Sequence, residues 1–167
     1  MTSAEPTPTT TSGASEPTSP SRPPDSDAAA LFDAVTTEHG VIYGYGLVSA
    51  HSTPDDNDLV ASVMKEHRQR REAAIAILEG RGVDPPLPAA GYQVPMQVDN
   101  PTDAGNLAVR MEEDSAVAWR AVLEQAATAQ ERAFAVKSLT QTAVTAARWS
   151  KVLGVWPITV AFPGGSE

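Results

Sequence analysis

Leu31–Leu47 reads LFDAVTTEHGVIYGYGL, and how this stretch is interpreted decides the fold. Leu31, Val35, Ile42 and Tyr45 recur at the spacing of an amphipathic helix turned toward a core. Glu38 falls on the same stripe. An isolated charge inside a protein is too costly to persist, so a carboxylate there must be paired, hydrogen-bonded, protonated or bound to metal.

Working outward, Ser26 or Asp27 can cap a helix from Ala28 to about Ala50, closed by His51-Ser52-Thr53-Pro54. Gly40, Gly44 and Gly46 each weaken it by about 1 kcal/mol against alanine, so close approach of a neighbour is the better reason for them. A second helix is expected over Asp56–Glu79, with Asp55, Asp56 and Asp58 at its positive end and Gly80 and Gly82 after it. Val83–Pro101 mixes five prolines with Leu87, Tyr92, Val94 and Met96, the pattern of a connection that packs along the outside of other elements. A third helix is predicted from Thr102 or Asp103 to Ala127, its core face including Met111, Glu112, Trp119 and Val122. A fourth reaches Leu153 on Phe134, Val136, Leu139, Ala143, Ala146 and Ala147, and the apolar tail after Gly154 is expected to dock back. Four helices joined by short, long and short connections predict an all-α, antiparallel four-helix bundle of ferritin-like topology, with one long crossover between helices 2 and 3.

Residues 1–26 hold no large apolar side chain beyond Met1 and read as a disordered Thr/Ser/Pro-rich tail, leaving 27–167 as the domain. The formal net charge of -9 disfavours nucleic acid and anionic membrane surfaces as partners. With no cysteine there is neither a disulfide framework nor a sulfur-ligated metal. No secretory signal or membrane span is recognisable, so a cytoplasmic location is expected.

In an antiparallel hairpin turning at Thr53, Glu38 and His67 differ in height by about 1.5 Å, and Glu112 also falls near mid-bundle. Arg148, and Arg70 or Arg71, lie within reach of that level. The leading expectation is therefore a buried polar centre of Glu38, His67, Glu112, Arg148 and Arg71 in which guanidinium groups neutralise carboxylates. The alternatives are a single metal held by Glu38, His67 and Glu112, and a pocket for a small ligand.

AVTTEHGVIYGYG in the first helix, KEHRQRRE in the second, AVRMEEDSAVAW in the third and the ending WPITVAFPGG resemble the ferritin-like superfamily. They resemble more closely a family of small, alanine-rich actinobacterial ferritin-like domains of unknown function, over about Ala28 to Gly165. The resemblance implies a di-iron ancestry, in which two helices each give a Glu and two others each give a Glu-x-x-His pair. Met64 stands where the second helix would need its Glu, and Leu139–Trp149 offers neither Glu nor His. The site is degenerate, so no cofactor is expected, with iron or manganese as the alternative and catalysis less expected than a binding or assembly role.

His39 and Tyr43, four apart, form a possible acid-base pair, though a solvated His beside an edge Tyr is the commoner arrangement. Trp119, Trp149 and Trp156 read as core or interface anchors rather than pocket walls. The smooth Gly40-Gly44-Gly46 stripe predicts a homodimer, and a protein partner is possible.

Overall fold

The computed structural model describes residues 19–165, and these form four long helices with no strand. Helix α1 spans Ser26–His51, α2 Asn57–Gly80, α3 Pro101–Gln125 and α4 Ala129–Leu153. The boundaries follow local chemistry. The Asn100 side chain accepts the Asp103 N–H at 3.0 Å to cap α3, and Thr128 accepts that of Glu131 at 3.2 Å to cap α4. Gly154, at φ 68°, ends α4 in the left-handed conformation that only glycine adopts freely. None of these helices is long and apolar enough to cross a membrane.

Helix α1 packs on α2 and α3, and α3 packs on α4. Asp27 pairs with Arg81 at one end of the α1–α2 contact, while Glu38 meets His67 farther along, so the two helices run in opposite directions. Helices α1 and α3 are likewise opposed, because Glu38 meets Trp119 and Tyr45 meets Glu112.

The twenty residues 81–100 between α2 and α3 lie partly against α1. Tyr92 of this segment packs where a Cβ on Gly40 would reach, and Met111 of α3 fills the equivalent space at Gly44. Two of the three glycines on the expected dimer stripe are thus covered from within the chain, and Gly46 alone faces open space. Most of the expected disordered tail, residues 1–18, lies outside the described residues. Ser19 accepts the Leu87 N–H, and Arg22 bonds Asp33 of α1 through two nitrogens.

The apolar interior is divided in two. One cluster gathers Val41, Tyr45, Val48, Val60, Val63, Leu107, Met111 and Trp149. The other gathers Leu31, Phe32, Val35, Ala74, Leu78, Trp119, Val122 and Ala135. Between them every helix contributes buried polar residues: Glu38 from α1, His67 and Arg70 from α2, Glu112 and Ser115 from α3, and Ser138, Thr142 and Thr145 from α4.

The contribution of α4 departs from expectation. Its buried stripe is Ala135, Ser138, Thr142, Thr145 and Trp149, whereas Val136 is 47% exposed and Phe134, Leu139, Ala143, Ala146 and Ala147 are only partly buried. Thr142 and Thr145 bond back to the carbonyls of Leu139 and Gln141. Their hydroxyls are satisfied by their own helix and can face a charged layer without a further partner.

Candidate functional site

Helix periodicity brings the central residues together. Glu38 and Tyr45 lie two turns apart on α1, as do Glu112 and Trp119 on α3, so each pair shares a face. His67 and Arg70 share the α2 stripe that also carries Val60, Val63, Ala74 and Leu78.

His67 sits between the two carboxylates. Its Nδ1 lies 2.6 Å from Glu38 Oε2 and its Nε2 lies 3.0 Å from Glu112 Oε1. A carboxylate oxygen accepts, so both ring nitrogens donate and the ring is an imidazolium. Burial alone would pull the His67 pKa down, but the hydrogen bonds and charges of Glu112 and Glu38 outweigh it and raise the value to about 9. Arg70 Nη1 donates to Glu38 Oε1 at 3.1 Å. It also lies 3.3 Å from His67 Nδ1, a contact between two donors and not a bond.

Aromatic donors complete the set. Trp119 gives its indole N–H to Glu38 Oε1 at 2.7 Å, and Tyr45 gives its hydroxyl to Glu112 Oε1 at 2.6 Å. Trp149 in turn donates to the Tyr45 oxygen at 3.0 Å. Burial pushes Glu38 toward the neutral acid, yet the His67 bond and charge, Arg70 and Trp119 hold its pKa below the ordinary carboxylate value. Burial and the neighbouring Glu112 raise the Tyr45 phenol well above its usual value, so it remains a donor. Two carboxylates, one guanidinium and one imidazolium sum to zero charge. The centre is a charge-balanced ion cluster whose members all come from one chain.

Glu38, His67 and Glu112 converge as their spacing predicts. Arg148 and Arg71 do not join them. Arg148 is exposed on the rim of a surface groove of about 160 Å³ that also involves Glu66, Thr140 and Thr145. Arg71 turns outward to Glu72, leaving Arg70 as the buried guanidinium. The signal was present in the spacing: Val63, His67, Arg70 and Ala74 keep the 4-3-4 rhythm of the buried stripe, and Arg71 breaks it. The same rhythm on α4 runs through Thr142 and Thr145 to Trp149 and passes over Arg148. Trp119, Trp149 and Tyr45 as donors went unrecognised because their apolar bulk accounted for their burial.

The other expected pair is separate. His39 is buried and donates Nε2 to the Pro86 carbonyl at 3.1 Å, and burial lowers its pKa. Tyr43 is 49% exposed and its ring lies 5.3 Å from that of Tyr92.

The donor set does not fit a di-iron centre. A metal ligand must offer a lone pair, and neither nitrogen of doubly donating His67 has one. Of the four carboxylate oxygens, Glu112 Oε2 alone has no protein partner; Arg70 Nε and Ser115 Oγ are buried without one as well. One open oxygen is far short of the several that hold a hard cation. Among the described residues, no three His, Asp or Glu side chains surround a common point as metal ligands would.

Residues 30–167 match the family model described as Domain of unknown function (DUF4439). Among solved structures, the crystal structure of a conserved hypothetical protein from Mycobacterium tuberculosis is similar, with a TM-score of 0.77 and 56% sequence identity over 78% of this chain and 99% of that one. No curated protein matches the chain.

Proposed function

This chain belongs to the DUF4439 family, and we propose that its helices form a ferritin-like antiparallel four-helix bundle in which a neutral ion cluster stands where a di-iron centre would. The domain then works without catalysis, as a cytoplasmic binding or assembly module of the alanine-rich actinobacterial kind that its sequence resembles. The topology is supported by the twenty-residue α2–α3 connection, serving as the one crossover, and by the opposed directions of α1 and α3.

The observation that carries the functional reading is the double engagement of His67. For metal to enter, the ring must lose a proton and break a carboxylate bond, leaving Arg70 facing an added cation. A second reading, an altered iron or manganese site of Glu38, His67 and Glu112, draws on the open Glu112 Oε2. A carrier of small ligands has less to draw on, since the groove at Arg148 falls below the roughly 300 Å³ at which ligand pockets begin.

Metal analysis of protein purified without a chelating tag, followed by melting with ferrous iron under anaerobic conditions, tests this reading. The expected result is substoichiometric metal and an unchanged melting temperature. One equivalent of bound iron or manganese, with a matching gain in stability, would establish the altered metal site instead.

A further inference from the structure

The chain after α4 was expected to dock back on the bundle, yet its described residues are exposed or at most half-buried, and its contacts with α3 lie at its two ends. Leu153 packs over Gly105 near the start of α3, its Cδ2 2.8 Å from where a Cβ on that glycine would stand. Gly164 and Gly165 lie against Ala116, Val117 and Arg120, farther along the same helix. Between these anchors Ile158 is half-buried and the other large apolar side chains turn outward. Trp156 is 78% exposed and Phe162 68%, with Val155 and Val160 exposed in the same segment, Val152 at the end of α4 and Val117 on α3 where the tail returns.

From this arrangement we infer that the face formed by the α4 tail and Val117 is where a second copy of the chain docks, about a two-fold axis. Three observations single out that occupant. The first is size: two aromatics and four valines at these exposures present on the order of 700 Å², near the roughly 800 Å² that each partner of a stable interface buries. Exposed apolar groups on a monomer are normally scattered, not gathered on one segment. The second is charge. Each copy carries a formal net charge of -9, so most approaches between copies are repulsive, yet no ionisable side chain stands between Lys151 and Glu167. Two such tails meet without opposing like charges. The third is composition: residues 1–18 contain no aromatic and no large aliphatic side chain beyond Met1 with which to pack on this face. This inference is independent of the ion cluster and moves the dimer surface away from the glycine stripe, where Tyr92 and Met111 already fill the space.

Trp156 makes the test direct. Trp119 and Trp149 are fully buried, so a concentration-dependent change in tryptophan emission of the full chain reports Trp156. Sedimentation velocity up to tens of micromolar should give a dimer mass, with a blue shift and weaker acrylamide quenching over the same range. Trp156→Ser with Phe162→Ser, or Val117→Lys alone, should raise the dissociation constant at least ~10-fold while leaving the circular-dichroism melt of the monomer unchanged. A monomer at all these concentrations overturns the inference. So does a dimer in which Trp156 stays quenchable, a dimer indifferent to both variants, or a blue shift that appears only with neutral lipid vesicles.

Discussion

Tyr45 of α1 donates its hydroxyl to Glu112 of α3 across a buried 2.6 Å hydrogen bond. The arrangement is reciprocated two turns away, where Trp119 of α3 donates to Glu38 of α1. Each helix gives a carboxylate and receives an aromatic donor.

Tyr45→Phe keeps the ring and its packing but removes a donor from Glu112 and an acceptor from Trp149. Leaving two buried groups underserved should cost about 2 to 4 kcal/mol, far more than a ring substitution of the same shape on the surface. Urea unfolding measures it. A loss below about 0.5 kcal/mol would mean that the hydroxyl is idle.

Glu38→Gln leaves Arg70 and the His67 imidazolium short of counter-charge and should destabilise by ~3 kcal/mol or more. Arg70→Met alone should also be harmful, and the double variant should lose less than the two single losses added, the mark of direct pairing. Arg148→Met, at an exposed position, should stay within about 0.5 kcal/mol of the parent. A large loss at Arg148, or strict additivity at Arg70, would contradict the assignment of partners.

Stability should depend on pH through His67. Its folded pKa, about 9, exceeds the unfolded 6.5, so its contribution is complete below 6.5 and disappears as pH rises through 9. The loss should amount to about 3 kcal/mol. Glu38 has the opposite sign: its lowered pKa stabilises above 4.5, and that share is lost as pH falls through the depressed value. A plateau between 4.5 and 6.5 with an alkaline decline is expected in denaturant titrations. His67→Gln should lower the plateau and flatten the decline; an unchanged slope would place the titration elsewhere.

Two glycines on one helix should respond with opposite signs. Gly46→Ala meets no atom and gains helix propensity, so about 0.5 to 1 kcal/mol of stabilisation is expected. Gly44→Ala drives a methyl into Met111 and should destabilise the fold. Paired thermal melts compare them, and stabilisation at both positions would show that Met111 yields freely.

The helices were legible because glycines and prolines act locally, whereas the caps were less so: Asp25, not Ser26 or Asp27, precedes α1, and Asn100 and Thr128 supply the side-chain caps of α3 and α4. Glu38, His67 and Glu112 were legible because distance from a turn sets height in a hairpin. Their partners were harder to find. Reach alone cannot choose between adjacent arginines, and one residue's rotation, about 100°, separates buried Arg70 from half-exposed Arg71. On α4 an apolar face would run through Phe134, Val136, Leu139, Ala143, Ala146 and Ala147, whereas a charged layer selects hydroxyls that bond their own backbone. The outward tail was not legible because its composition matches a buried segment, and composition does not say which molecule does the burying.

The polar layer has a consequence for alignment. Apolar stripes rich in alanine tolerate several offsets, since one small side chain meets another almost equally well at each. Sliding α1 past α3 by seven residues in one direction would set Tyr45 against Trp119 and leave both carboxylates stripped of their aromatic donors. The same slide in the other direction would drive Glu38 against Glu112. The layer thus serves as an index mark on otherwise smooth rods, giving the sliding coordinate a single zero.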